Sequence, residues 1–244
     1  MIDTHAHLDG DDGAVLVARA REAGVTRIVA IGSGLDAARR TLALAEREEG
    51  VFAALGLHPH QAADGESLNE LRDLLSNERV VAVGEIGLDF FRDYAPHDAQ
   101  RRLLEEQLQL ASDLRKPVVI HSRAADDETV EALGGFVGGV VLHCFSSPAL
   151  LPVAVEQGWY VSFAGNVTFP KAEELREAAA ELPDQWILAE TDTPYLAPQP
   201  VRGRPNEPAN VMHTLAALAE VRGVEPAALE ALIDANATAA FSLP

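Results

Sequence analysis

The sequence predicts an α/β fold, a single-domain (β/α)8 barrel of the TIM type over residues 1–244. Three observations lead there. At 244 residues with 48% hydrophobic side chains, the chain has a length at which α/β barrels run undivided. Short aliphatic runs recur at intervals of roughly thirty residues, the span that one strand, one crossover helix and two loops require. Two of these runs, Val118-Val119-Ile120 and Val140-Val141-Leu142, are apolar throughout, as in strands covered on both faces.

Taken in order, the predicted strands are 2–8, 27–32, 51–57, 80–87, 117–122, 139–145, 160–165 and 186–192, eight in all. Amphipathic spacing predicts helices over 11–23, 35–49, 67–77, 98–115 and 170–180, and two C-terminal helices over 208–222 and 226–240. Five prolines between Pro194 and Pro208 predict an ordered loop after the eighth strand, with little helix or ladder structure. The uncharged stretch 132–155 is interrupted by Gly134, Gly135, Gly138, Gly139, His143 and two prolines, so it reads as strand, loop and helix start rather than a membrane span.

Composition narrows the function. Nineteen Lys and Arg against 38 Asp and Glu give a net charge of −19, which opposes binding along an extended duplex. An anionic substrate needs local positive charge from a metal or a few arginines. The single cysteine, Cys144, excludes an internal disulfide and a four-thiolate zinc site, and the start of the chain carries no secretory pattern, so a cytoplasmic protein is expected. As the residue after His143, Cys144 is expected to point away from the barrel axis, as a buried spacer.

Polar side chains at the C-terminal ends of barrel strands belong to the mouth where barrel enzymes work. His5 and His7 lie two apart on the first strand. Glu85, His121, His143 and Asp192 lie near the ends of the fourth, fifth, sixth and eighth. Each alone reads as a hydrogen-bonded core or rim residue. Together, four imidazoles and two carboxylates in one mouth would leave buried charge uncompensated unless cations neutralise it. Six ligands are too many for one metal with an open position; they suit two divalent ions about 3.5–4 Å apart sharing one carboxylate. Imidazole and carboxylate ligands suit zinc or manganese, with magnesium possible through carboxylates and water.

The motifs Asp3-Thr4-His5-Ala6-His7-Leu8-Asp9, Gly56-Leu57-His58-Pro59-His60, Gly84-Glu85-Ile86-Gly87-Leu88-Asp89, Pro117-Val118-Val119-Ile120-His121-Ser122-Arg123, His143-Cys144-Phe145 and Glu190-Thr191-Asp192-Thr193-Pro194-Tyr195-Leu196 closely resemble the TatD family of metal-dependent deoxyribonucleases, over essentially the whole chain. The resemblance implies the barrel of the amidohydrolase superfamily and hydrolysis of phosphodiesters at DNA ends. It further implies that His5 and His7 hold one metal, His121 and His143 the second, and Glu85 bridges. Asp192 would bind the first metal and handle the proton of the attacking water.

The same resemblance favours His58 as a substrate or leaving-group contact, against the alternative of a rim histidine bonded to loop backbone, which is the expectation for His60. Asp89 and Arg123 are candidates for ligand support or substrate contact, against a surface ion pair. Arg202 and Arg204, in a Pro-stiffened loop after the eighth strand, are expected to contact phosphate. Phe90, Phe91 and Tyr94 are expected chiefly to pack their loop, with stacking on a terminal base as the alternative.

The expected substrate is a DNA end or short single-stranded nucleic acid, with no membrane and no obligate protein partner. Two rivals stand beside this reading: an ester or amide hydrolase of the amidohydrolase type, such as an aminoacyl-tRNA deacylase, and a metal-dependent binding protein without turnover.

Overall fold

The computed structural model describes residues 1–92 and 94–244. Its eight parallel strands are β1 (Ile2–Ala6), β2 (Arg27–Ser33), β3 (Val51–Gly56), β4 (Val80–Asp89), β5 (Val118–Arg123), β6 (Val140–Leu142), β7 (Tyr160–Phe163) and β8 (Ile187–Ala189), paired in chain order. This is the predicted barrel. Around it lie α1 (Gly13–Glu22), α2 (Leu35–Arg47), α3 (Leu68–Leu75), α4 (His97–Leu114), α5 (Asp126–Leu133), α6 (Leu151–Gln157), α7 (Glu173–Glu181), α8 (Val211–Arg222) and α9 (Pro226–Phe241).

The strands are buried on both faces, as their aliphatic composition requires: Val29, Ile31, Leu55, Val83, Val118 and Leu188 are all inaccessible to solvent. α2 shows why a crossover helix forms where it does. Leu35, Ala38, Leu42 and Ala45 recur at helical spacing and are buried, while Arg39 and Arg40 face outward.

Several boundaries differ from those expected. β4 continues to Asp89, because β5 pairs with it as far as Asp89–Arg123; Glu85 therefore lies within the strand, below the rim. β6 and β8 are shorter than expected and stop before their polar residues. α6 is the helix whose start was expected within 132–155, whereas α5 was not expected: it buries only Thr129 and Leu133, too few positions to mark an amphipathic face. The uncharged stretch 132–155 divides into the end of α5, a glycine-rich turn, β6, a loop and the start of α6. Among the described residues, no helix is long and apolar enough to cross a membrane.

The seam between β8 and β1 has little ladder. One bridge, Ala6 to Thr193, joins their ends, and the side chain of Asp3 adds to it. Its carboxylate accepts from the Thr191 amide at 2.9 Å and hydroxyl at 2.6 Å. The Asp192 amide donates to the His5 carbonyl at 3.0 Å. Burial pushes the Asp3 carboxyl up to about 8, although the Thr191 bonds pull the other way. A buried side chain thus ties the strand that carries His5 to the segment that carries Asp192.

Candidate metal centre

Two irregularities in the sheet aim the central side chains. The β1–β2 register shifts between Asp3 and Ala6, around His5, and the β4–β5 register shifts between Val83 and Ile86, around Glu85. Such bulges re-aim a side chain without ending the strand. Gly87 lets β5 approach: at φ +145°, a Cβ there would stand 1.9 Å from the His121 carbonyl oxygen. Non-glycine residues with positive φ recur at the mouth, at Ala124, Cys144, Asp192 and Leu196, where strain of order 1–3 kcal/mol each is held by the surrounding structure.

The structure brings His5, His7, Glu85, His121, His143 and Asp192 together at the floor of a cavity of about 940 Å³ in the barrel mouth. Glu85 stands at the centre and offers one oxygen to each side. Its Oε2 faces His5 Nε2 at 3.8 Å and His7 Nε2 at 3.7 Å. Its Oε1 lies 2.8 Å from His121 Nδ1 and 2.8 Å from His143 Nε2. Asp192 completes the first side, with Oδ1 at 3.8 Å from His5 Nε2 and 3.6 Å from His7 Nε2.

These separations test whether a cation fits. On the first side His5 Nε2 and His7 Nε2 are 3.4 Å apart, and their distances to the carboxylate oxygens are too long for hydrogen bonds. Ligands at about 2.0–2.2 Å from a tetrahedral zinc-sized ion are themselves about 3.4 Å apart, so His5 Nε2, His7 Nε2 and Glu85 Oε2 face a gap of ionic size, with Asp192 Oδ1 at its edge beside the two histidines. On the second side, His121, His143 and Glu85 lie at hydrogen-bonding distance, and a cation would replace the protons between them.

Electrostatics supports the same conclusion. Burial works against the Glu85 carboxylate, yet the neighbouring His143, His58 and His121 hold its pKa well below the usual range. Burial likewise opposes the charged form of His143, but Glu85 and Glu190 raise its pKa well above that of a free imidazole. His7 is raised against burial by Asp192 and Glu85, whereas burial and its cationic neighbours keep His5 well below its usual value. The shifts favour the protonated form at His7 and His143 beside the charged Glu85, and a divalent ion held there would take the place of those protons.

A second layer of carboxylates stands behind these imidazoles. His143 Nδ1 lies 3.3 Å from Glu190 Oε1, and His121 Nε2 faces Asp89 Oδ2 at 3.4 Å. Asp89 is buried, not a surface ion-pair partner. It accepts from the Phe91 and Arg92 amides at 3.0 Å each and lies 2.8 Å from His60 Nε2. Gln100 fixes its backbone from α4 through bonds of 2.8 and 3.1 Å. His60 thus bonds to a carboxylate rather than to loop backbone. Carboxylates behind ligating imidazoles fix ring orientation and raise ligand basicity.

His58 reaches the cluster, with Nε2 at 3.4 Å from Glu85 Oε1. Its Nδ1 accepts the His60 amide at 3.2 Å, which leaves the proton of the neutral ring on Nε2, and burial lowers its pKa so that the neutral form prevails. A ring held this way presents a donor, not a lone pair. We expect His58→Ala to lower kcat by at least about tenfold, the worth of one hydrogen bond to a charged oxygen, with metal content unchanged by elemental analysis; loss of one equivalent would make His58 a ligand.

Cys144 departs from expectation. β6 ends at Leu142, so strand alternation no longer governs position 144; with φ 46° the residue is half-buried and lines the mouth cavity. Its amide donates to Glu190 Oε1 at 2.8 Å. Burial and the nearby Asp192 and Glu190 carboxylates push the thiol well above its usual pKa, which disfavours a thiolate ligand or nucleophile.

Arg202 and Arg204 are not among the residues that line the cavity. The Arg202 guanidinium lies over the Phe169 ring at 4.2 Å, and Arg204 is exposed. The cavity's arginines are Arg123 and Arg92, the latter not anticipated. Sequence reasoning does not reach Asp3 and Glu190; the signal is a carboxylate directly after an aliphatic residue at a buried strand position, Asp3 after Ile2 and Glu190 after Ile187-Leu188-Ala189, which needs a partner.

The family model for TatD related DNases matches residues 2–242. The chain belongs to this family. Members of similar sequence include a metal-dependent hydrolase, TatD, of Mycobacterium tuberculosis, 39% identical with 100% of this chain and 98% of that protein covered. A 3′-5′ ssDNA/RNA exonuclease TatD of Cronobacter sakazakii is 38% identical, with 93% and 90% covered. The crystal structure of YJJV, a TatD homologue from Escherichia coli K12, superposes with a TM-score of 0.94 at 35% identity, covering 100% of this chain and 98% of that one. The present TatD-family protein is thus a metal-dependent hydrolase whose His, Asp and Glu clusters suit divalent cations.

Proposed function

We propose that this TatD-family protein is an exonuclease that hydrolyses phosphodiester bonds at the 3′ ends of single-stranded DNA, and of RNA, with two divalent cations. The observation that carries the reading is Glu85, whose two oxygens face two separate histidine sets at the floor of an open cavity. His5, His7 and Asp192 would hold one cation, His121 and His143 the other, with Glu85 shared. When bound, such a pair lowers the pKa of water and neutralises the charge that builds on phosphate oxygens.

The chain's own groups supply the remaining steps. Arg92 and Arg123 line the cavity and provide the local positive charge that a net −19 chain otherwise denies a phosphate. Asp192, 8% exposed, takes the proton of the water that attacks phosphorus. The bond from phosphorus to the 3′-oxygen of the penultimate nucleotide breaks, and the neutral His58 ring donates an Nε2–H hydrogen bond to that leaving oxygen, which takes up its proton from solvent. Glu190 and Asp89 keep His143 and His121 in place throughout.

The test is hydrolysis of a short single strand labelled at its 5′ end, with manganese. Stepwise shortening from the free 3′ end, lost on chelation and on blocking that end, is expected. Hydrolysis of uncharged aryl esters with nucleic acid left intact across metals would replace this reading with a carbonyl-directed one, and absence of any turnover with metal bound would leave a binding protein.

A further inference from the structure

Among the described residues, the exposed Phe, Tyr and Trp side chains are Phe91, Tyr94 and Tyr195, each 61–63% accessible. All three stand at the mouth, although eight Phe, three Tyr and two Trp are available to be exposed anywhere. Large exposed aromatics gathered at one opening mark a binding surface rather than chance.

Their environments differ. Phe90, the neighbouring ring, packs against the core, stacked on His97 at 3.8 Å, as expected of a loop anchor. The face of Phe91 is taken by the Arg123 guanidinium at 4.1 Å. Tyr94 and Tyr195 line the cavity and stand nearly perpendicular to centre histidines: Tyr94 to His60 at 4.7 Å and 89°, Tyr195 to His7 at 5.9 Å and 79°. With more than half its surface exposed, each ring keeps a face open.

The topology sets these two rings apart. Tyr94 follows β4 and Tyr195 follows β8, strands four apart in an eight-membered order, so they flank the mouth from opposite sides. Tyr195 is fixed by its amide, which donates to the Asp192 carbonyl at 2.8 Å, and by its own carbonyl, which accepts from Asn206 Nδ2 at 2.5 Å. Glu85 and Asp192 lie below the rim, 3% and 8% exposed. A phosphate that reaches them must descend between the two rings, and the bases attached on either side of it are left at rim height.

Resting on the nuclease reading above, we propose that Tyr94 and Tyr195 are paired stacking platforms for the two nucleobases flanking the scissile phosphate. The enzyme selects ends whose last bases are free to unstack and rotate onto the rings. Because every base has a π-face, such platforms are indifferent to sequence and admit DNA and RNA alike; paired ends are selected against because their bases remain engaged with the opposite strand.

The experiment compares two 5′-labelled single strands, one normal and one with abasic residues at its last two positions, on wild type, Tyr94→Ala, Tyr195→Ala and the corresponding Phe variants. Wild type should favour the normal strand in kcat/KM by about 30-fold or more, two base–aromatic stacks at about 5- to 150-fold each. Each Ala variant should lose one stack's share, about 5- to 150-fold, through KM with kcat held, and each Phe variant should regain it. Equal losses on both strands would overturn the proposal and leave the tyrosines as supports for His60 and His7; unchanged preference in both Ala variants would overturn it outright. Binding of hydrolysis-resistant phosphorothioate versions with manganese, read by anisotropy, separates the two readings. If no strand is cleaved yet the normal one binds more tightly through the tyrosines, the nuclease reading fails and the platforms stand; equal binding of both strands removes the platforms.

Discussion

Replacing Glu85 by Gln is expected to lower kcat/KM by about 10³-fold or more, a loss of about 4 kcal/mol of transition-state stabilisation. The amide keeps the volume of the side chain in the β4 irregularity. However, it turns one of two acceptor oxygens into a donor and removes the negative charge shared by both histidine sets. Either orientation disables one side: an NH₂ group toward His121 and His143, which now lie 2.8 Å from Oε1, or toward His5 and His7. Metal content should fall below two equivalents, while circular dichroism stays that of the wild type because the strand core around Ile86 and Val83 is untouched. Retention of more than about a tenth of the rate would contradict a shared role, since a shared ligand should be worth several kcal/mol.

Asp192→Asn is expected to reduce kcat by about 10²- to 10⁴-fold, the range for loss of a positioned proton acceptor. The substitution is close in shape, and the bonds that shape the local turn, from the Asp192 amide to His5 and from the Tyr195 amide to Asp192, are backbone bonds that survive it. Metal held by His121 and His143 should remain, and metal beside His5 and His7 should weaken, because Oδ1 stands at the edge of that gap beside the two histidines. Elemental analysis at increasing metal concentration separates the two effects: a rate that stays low when both equivalents are restored assigns the loss to the proton. A rate near wild type would remove Asp192 from the chemistry.

The barrel was legible in the sequence because aliphatic runs recur at the spacing of strand and crossover helix, and the central side chains were legible because they interrupt or end such runs. His121 after Val118-Val119-Ile120, His143 after Val140-Val141-Leu142 and Asp192 after Ile187-Leu188-Ala189 are abrupt changes that burial alone does not explain. Support residues were harder to find. Asp3 and Glu190 act beside residues that draw attention first, and their partners, Thr191 and His143, are distant or on another strand. The orientation of Cys144 was misread because period-two alternation holds only while the ladder continues, and β6 ends two residues earlier.

The arginines show a different limit. Arg202 and Arg204 sit in a proline-rich loop with no period to fix its path, and whether such a loop folds over the mouth or away from it depends on contacts such as Phe169 beneath Arg202. The loop after β4 is equally aperiodic, and there the exposed rings and Arg92 emerge only because Asp89 gathers the Phe91 and Arg92 amides. The helix α5 escapes for want of an apolar face: of its eight residues only Thr129 and Leu133 are buried.

If Glu85 is shared between two cations, an anomalous-scattering map from crystals soaked in manganese will show it. Two peaks about 3.5–4 Å apart are expected, one beside His5, His7 and Asp192 and the other beside His121 and His143, with the Glu85 carboxylate between them. A single peak with Glu85 turned away from it, or two peaks that share no carboxylate, would mean that Glu85 is not a shared ligand.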